Sequence, residues 1–391
     1  MIIEIIFWIC LAIVFYTYIG YGLVLYLLVK SKELIKGKPK CIDEWDALPA
    51  ITLVIAAYNE EDIVDKKMQN CRALKYPQGR LTIFWATDGS SDSTNEKLAK
   101  YDNVVVSFSP ERRGKTATIN RAMEKITTPI VVFTDANTTL NEEALVRIGS
   151  AFSDPKVGCV AGEKRVISEE ADSASSSGEG AYWKYESKLK ELDSRLYSAA
   201  GAAGELFALR KNLYRNVSDD TLLDDFIISL EIVKQGYIIA YCSDAYAMET
   251  GSANIANEKK RKVRIAAGGL QSIWRLRDLL NPFKYGIFSF QYVSHRVLRW
   301  TITPIMLFSL LPLNLAIVLK DGDVIFQLIF ASQLLFYGIA AWGYIMRDRE
   351  IKMKILFLPM YFTFMNLNPF YGIQYLIKNR GKGAWEKAKR K

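Results

Sequence analysis

The chain places long apolar runs at its ends and a mixed, charge-bearing pattern in its middle. Residues 5–29 (IIFWICLAIVFYTYIGYGLVLYLLV) contain no charged side chain. A helix of that length crosses roughly 30 Å of hydrocarbon. No basic residue precedes it and no small-residue cleavage site closes it, so it reads as a retained anchor and not as a signal peptide. Further apolar stretches lie at 302–319, 324–346 and 354–377. The last carries Asn366, Asn368 and Pro369. Counted as a full span, it would put the basic tail on the far side of the bilayer, against the usual charge bias. Either it is broken or re-entrant, a form that hydrocarbon tolerates only where protein covers it, or the tail defies that bias; Pro369 and the two asparagines favour the first.

Between the ends the period changes. Strand-like runs at 50–56 (AITLVIA), 81–86, 103–107 and 130–134 alternate with helical patterns at 61–73, 91–100 and 115–126. That alternation predicts βαβ units and a mostly parallel sheet. Ligands of such sheets sit beyond the C-terminal ends of the strands. Strand character returns at 155–166 and 237–248, around a polar stretch (167–180) and an aromatic, acidic helix (180–196). Residues 283–300 mix aromatics with bases and suit the membrane interface plane. The expected organisation is an anchor (1–30), a linker (31–49), a soluble α/β domain (50–280), an amphipathic interface segment (281–301), a membrane region (302–378) and a basic tail (379–391).

Charge narrows the partners. The net charge is +9, and the bases cluster at Lys30, Lys32, Lys36, Lys38 and Lys40, at 259–264 (KKRKVR) and in the tail. Bases beside apolar spans attract anionic headgroups, so membrane lipids are expected partners and nucleic acid is not. The lysines after the first span orient the middle domain toward the cytoplasm. Cys10, Cys41, Cys71, Cys159 and Cys242 form no CxxC pair, which fits a reducing compartment and offers no metal framework. The single histidine, His295, excludes His-rich zinc motifs.

Five segments carry candidate chemistry. In TDGSSDST (87–94), Asp88 ends a strand, Gly89 permits a tight turn, and Ser90 or Asp92 suits a helix cap; alone it is equally an ordinary turn. In FTDANTTL (133–140), Asp135 could hold a divalent cation against a diphosphate, since hard cations take oxygen ligands, with Asn137 as a weaker second donor. RRGKTATIN (112–120) opens a helix with bases, which suits phosphates. It is not a Walker A loop, so ATP hydrolysis is unsupported. In TLLDDF (221–226), Asp224 and Asp225 head an amphipathic helix. Adjacent carboxylates point in different directions, so one can accept a proton from a bound hydroxyl while the other supports the helix start. In RKVRIAAGG (261–269), Arg261 and Arg264 share a helical face. They could neutralise a diphosphate, or simply flank the membrane.

Taken in order, VIAAYNEE (54–61), TDGSSDST, RRGKTATIN, TDANT (134–138), GELFALRK (204–211), LLDDF (222–226) and RKVRIAAGG resemble the family 2 inverting glycosyltransferases. The subset resembled is the membrane-attached polysaccharide synthases and exopolysaccharide enzymes related to cellulose and hyaluronan synthases, over about residues 50–300. The resemblance implies an α/β GT-A fold with a Rossmann-like nucleotide-binding half, plus transmembrane helices at both ends. It implies a nucleotide-diphosphate sugar donor, with UDP the family's common choice, and Mg²⁺ or Mn²⁺. By this likeness Ala57, Tyr58, Glu60 and Asp88 face the nucleoside, and Lys115 lies near the nucleotide. Asp135 is the first Asp of a DxD motif whose second position is Asn137. Arg261 and Arg264 meet the leaving diphosphate. Asp225 is the base, and Asp224 replaces the usual Glu. Glu205, Tyr182 and Trp183 fall on the acceptor side. The chain departs from the QxxRW of cellulose and hyaluronan synthases, carrying Arg261 for Gln and Ile265 for Trp, which leaves processivity open. The implied activity is inverting sugar transfer to a growing extracellular or capsular polysaccharide at a bacterial inner membrane, with the catalytic domain cytoplasmic. The alternative is single addition to a polyprenyl-diphosphate-linked or other lipid-linked glycan. Four hydrophobic segments are few for a self-contained conduit, which points to a second copy or an export partner. A degenerate nucleotide-binding scaffold is a third class, opposed by the Asp88, Asp135 and Asp225 set.

Overall fold

The computed structural model describes residues 1–37, 48–167, 174–250, 255–320, 322–346 and 354–379. The chain forms two compact units. One comprises residues 31–167, 187–251 and 379–391; the other comprises 1–30, 168–186 and 252–378.

The first unit is built on an eight-stranded sheet: β1 (Ile51–Ala57), β2 (Leu81–Asp88), β3 (Val104–Ser109), β4 (Ile130–Asp135), β5 (Thr139–Leu140), β6 (Val157–Ile167), β7 (Leu206–Arg210) and β8 (Ile238–Thr250), in the order β3-β2-β1-β4-β7-β6-β8-β5. β1 pairs in parallel with both β2 and β4, and β2 with β3. β7 runs antiparallel between β4 and β6. A strand with helices on both faces reads as an unbroken apolar run, and Ile51, Leu53, Val54 and Ile55 are each at most 1% exposed. β5 and β7 were not anticipated from the pattern. The expected strands at 50–56, 81–86 and 130–134 correspond to β1, β2 and β4, each displaced or lengthened by a residue or two at its ends.

Register fixes the functional edge. Ala56 lies opposite Asp135 and Ala57 opposite Thr87. The C-terminal ends of β1, β2 and β4 therefore deliver Ala57, Asp88 and Asp135 to one edge of the sheet. The helix Lys115–Lys125 and the helix Asp224–Lys234 begin with Lys115 and the Asp224-Asp225 pair.

In the second unit, the N-terminal helix packs on the helix Ile302–Val318, where Thr17 and Thr303 share a buried hydroxyl hydrogen bond of 2.9 Å. Such small polar contacts hold helices together in lipid. By length and composition, Ile2–Lys36 and Val324–Ile345 can cross a membrane, and Ile287–Trp300 with Ile302–Val318 form a pair bent by 50°. Two expectations change. The first helix continues to Lys36, past the predicted linker start at 31. The reason is visible: Lys32 donates to the Arg195 and Leu196 carbonyls at 2.7 Å, and Arg195 pairs with Glu33.

The segment predicted to be broken is one helix, Lys354–Lys378, running through Pro359 and Pro369. An interior proline costs a helix roughly 3 kcal/mol, and here close packing opposes that cost. Gly372 lies so near the helix Ile255–Arg275 that an added Cβ would stand 2.8 Å from the Ala267 nitrogen. Asn366 accepts a hydrogen bond from the Tyr18 hydroxyl and donates to the Phe362 carbonyl at 2.9 Å. The helix Ile255–Arg275 itself belongs to this unit, although residues up to 280 were assigned to the soluble domain.

Candidate active site

Two loops form one wall of the sheet edge and are sewn together. Asn59 adopts φ +52°, in the left-handed region that asparagine tolerates best after glycine. Its side-chain oxygen accepts from the Ser91 amide at 2.9 Å, and its own amide donates to Ser90 Oγ at 3.1 Å. The Glu60 amide donates to Thr94 Oγ1 at 2.8 Å. Asp92 accepts from the Glu61 and Thr94 amides, both at 3.1 Å, while the N-cap of the following helix is Ser93, which makes no side-chain cap hydrogen bond. The Tyr58 ring carries the Arg112 guanidinium 4.0 Å from its centroid. A planar cation on an aromatic face is a favourable stack.

Asp88 is 5% exposed, and its two oxygens accept from the Arg113 amide (2.9 Å) and the Gly114 amide (2.8 Å). It holds the RRGK loop against the end of β2. Gly89 is required here, because a Cβ would lie 2.7 Å from the Arg112 nitrogen and φ is +65°. The held loop launches Lys115, whose Nζ donates to Asp135 Oδ1 at 2.7 Å. Asn120, one turn further along that helix, accepts from the Tyr214 hydroxyl at 2.6 Å and donates to the Val217 carbonyl at 2.8 Å. The segment leading to Asp224 is thereby fastened to the helix that carries Lys115.

Asp225 comes from the first turn of the helix Asp224–Lys234. Gly204 lies between it and Lys115: a Cβ on that glycine would stand 3.2 Å from Asp225 Oδ2 and 3.3 Å from Lys115 Nζ. Burial, and next the adjacent Asp224 charge, push the Asp225 carboxyl up to about 7, while Lys115 pulls it down. Asp225 is thus a carboxylate poised near neutrality, where a general base works best. Burial alone would weaken the Lys115 ammonium, but Asp135 and then Asp224 outweigh it and hold the amine above its ordinary range.

Of the expected site residues, Ala57, Tyr58, Glu60, Asp88, Lys115, Asp135, Asn137, Glu205, Asp224 and Asp225 all belong to the sheet unit. Tyr182, Trp183, Arg261 and Arg264 are carried by the other unit. Arg261 stands 3.8 Å from Glu258, and the Lys262 ammonium 5.4 Å from the Trp183 ring centroid. The side chain of Tyr182 falls outside the described residues.

Among the described residues no three carboxylate, histidine or cysteine side chains converge as a metal cage. Of the expected donors, Asp135 presents a carboxylate 26% exposed, and Asn137 lies two residues on in the turn that follows it. Magnesium-type ions accept such a set, because one or two carboxylates are completed by substrate phosphates and water.

Three buried charges escaped the sequence argument. Lys67 donates to the Thr138 carbonyl at 2.7 Å and to the Thr134 and Thr138 hydroxyls, pinning the turn that carries Asp135 and Asn137. Its signal was a lysine on the apolar stripe of Val64, Met68 and Cys71. Lys164 and Glu249, both buried, lie behind Glu205.

This architecture is GT-A-like. A mannosyltransferase of Pyrobaculum calidifontis, solved in complex with GDP-Man and Mn²⁺, superposes with a TM-score of 0.71 at 19% identity, over 96% of this chain and 99% of that one. The glycosyltransferase-like family 2 profile matches residues 49–268, and the chain belongs to that family. It is 28% identical over 250 residues to the poly-beta-1,6-N-acetyl-D-glucosamine synthase of Staphylococcus aureus (strain MSSA476), covering 61% of this chain and 58% of that protein. It is 25% identical over 233 residues to the probable glycosyltransferase YdaM of Bacillus subtilis (strain 168), covering 54% and 53%. The chain thus matches a little over half the length of these curated relatives.

Proposed function

We propose that this protein transfers a sugar, with inversion, from a nucleotide-diphosphate sugar to a growing extracellular or capsular polysaccharide, at the cytoplasmic face of a bacterial inner membrane. The observation that carries the reading is Asp225, poised near neutrality and separated by Gly204 from the Lys115–Asp135 pair. In this reading the loops 57–60 and 88–94 seat the nucleoside, with the Tyr58–Arg112 stack as one wall. Lys115 holds the diphosphate beside Asp135. Asp135 and Asn137 would hold Mg²⁺ or Mn²⁺, which when bound neutralises charge on a departing diphosphate. Asp225 takes the proton of the acceptor hydroxyl as that oxygen attacks the anomeric carbon. The carbon–oxygen bond to the diphosphate breaks in the same displacement, which inverts the centre. Glu205 lies on the acceptor side of Asp225.

Similarity to a poly-N-acetylglucosamine synthase makes UDP-N-acetylglucosamine the first donor to try. A second reading, single addition to a lipid-linked glycan, is supported by the helices that qualify as spans among the described residues: two, or up to three with the bent pair. One experiment tests both. Full-length protein in lipid nanodiscs is given Mg²⁺ or Mn²⁺, bacterial lipids and a panel of radiolabelled UDP- and GDP-sugars, with Asp225→Asn beside wild type. A ladder or high-mass product lost in the variant is the expected result. A single labelled lipid lost in the variant selects the second reading. Unchanged turnover in Asp225→Asn defeats the mechanism.

A further inference from the structure

Lys164 on β6 and Glu249 on β8 have side chains only 2% exposed, with Lys164 Nζ 2.9 Å from Glu249 Oε2. The same ammonium makes a still closer contact with Glu205 Oε1. One cation therefore serves two carboxylates in the interior. Without it, two neighbouring buried carboxylates would share a proton, because like charges at close range cannot both stay ionised. Glu205 in turn faces the site. Its carbonyl accepts from Thr134 Oγ1 at 3.0 Å, and Gly204 before it abuts Asp225 Oδ2.

We propose that the buried Lys164–Glu249 pair is a positioning device that clamps the Glu205 carboxylate, ionised, beside Asp225 and so governs the strength of Asp225 as a base. This rests on the proposed function only in giving Asp225 that part. The charged groups facing Asp225 are Asp224 on its own helix, Lys115 from the helix Lys115–Lys125 and Glu205 from the loop entering β7. Glu205 adds negative charge, which makes proton acceptance easier.

The test follows the protonation of Asp225 directly. Full-length protein in nanodiscs is treated with a hydrophobic carbodiimide, which reacts with protonated carboxyls, across a pH series. Labelling of the Asp225 peptide is quantified by mass spectrometry, beside the pH profile of kcat/KM. Glu205→Gln is expected to weaken proton binding at Asp225 by about threefold or more, moving the labelling midpoint and the acid limb to lower pH; Lys164→Met, which removes the opposing cation together with part of the Glu205 charge, is expected to move them in the same direction by less. Lys164→Arg keeps the cation and is expected to keep the wild-type midpoint, and it serves as the variant of choice if Lys164→Met unfolds. Midpoints that stay put in folded Glu205→Gln, or move upward, overturn the proposal. Because labelling needs no turnover, the two ideas fail separately. A protein that labels as expected but transfers no sugar defeats the function alone. One that transfers sugar with an unmoved midpoint defeats the clamp alone.

Discussion

Replacing Lys115 with methionine removes the ammonium that faces Asp135, Asp224 and Asp225 while keeping the length of the chain. The distances around Gly204 place Lys115 Nζ and Asp225 Oδ2 within about 6.5 Å, where unit charges interact by roughly 0.6 kcal/mol in water and about 2.6 kcal/mol at a protein-surface dielectric of about 20. The Lys115 side chain is 40% exposed, so solvent screens it and the value falls between those limits. Converted, the loss raises the Asp225 carboxyl by about half a unit to two units. From its wild-type position of about 7, a rise of about one unit cuts the ionised fraction at neutral pH roughly fivefold. The acid limb of the kcat/KM profile reports the free enzyme's base, so it is expected to move to higher pH in Lys115→Met, with part of the loss recovered in alkali. Any remainder, from the diphosphate contact proposed for Lys115, would persist at every pH. The assay is initial-rate transfer across a pH series at saturating divalent metal, with labelling of Asp225 as the check on its protonation. An acid limb that stays at about 7, or moves down, refutes the electrostatic coupling across Gly204.

Two further outcomes follow from buried charges. Burial holds the Lys67 ammonium down, at about 8, against an unfolded value near 10.4. The unfolded chain therefore binds more protons between those two values, and stability rises as pH climbs through that window. Lys67→Met lacks the titrating group, so the wild-type-minus-variant difference in urea midpoints is expected to rise with pH through this window; a difference that is flat with pH there counts against the assignment. In the helical unit, Glu186 is 3% exposed and pairs with Arg296 at 2.7 Å and Arg299 at 2.8 Å. Glu186→Gln leaves those guanidiniums without their anion and is expected to cost about 3–5 kcal/mol, seen as a large drop in melting temperature in detergent. A drop of only a degree or two would mean that other anions balance the arginines.

The parts of the fold that were legible in the sequence are those where burial is continuous. β1, β2 and β4 announce themselves because strands covered on both faces must be apolar throughout. β7, five residues long, is inserted antiparallel between β4 and β6. Its run LFALR is too short to separate from a helix segment by period alone, and its neighbours lie far away in sequence. The segment 354–378 misled for a different reason. Prolines and asparagines lower the expectation of a helix locally, but the contact of Gly372 with Ala266 and Ala267 is a tertiary fact. In the site, strand ends made Asp88 and Asp135 visible as candidates, yet what the Asp88 oxygens grip depends on a loop 25 residues away. Lys67 and Lys164 stayed hidden because a buried lysine has no meaning until its partners are placed.

The charge inventory of the sheet edge bears on the metal. Asp135, Asp224 and Asp225 all act electrostatically on Lys115, Glu205 acts on Asp225, and Lys164 is engaged behind Glu205. A sugar nucleotide brings a diphosphate and so deepens the excess of negative charge. An anion entering such a place is repelled unless it carries a cation with it, and an ion that comes on the diphosphate needs few protein ligands. That reconciles a metal-dependent reading with a site in which three ligating side chains do not converge among the described residues. It also gives Lys115 a divided task. Before the donor binds, its ammonium neutralises Asp135. If Asp135 held a divalent ion together with the donor's diphosphate, the ammonium would be free to meet the phosphate oxygens. On this argument donor and divalent cation bind cooperatively: each is expected to raise the affinity for the other by the same factor. Lys115→Met would lessen that coupling, because Asp135 would then no longer need to exchange one cation for another.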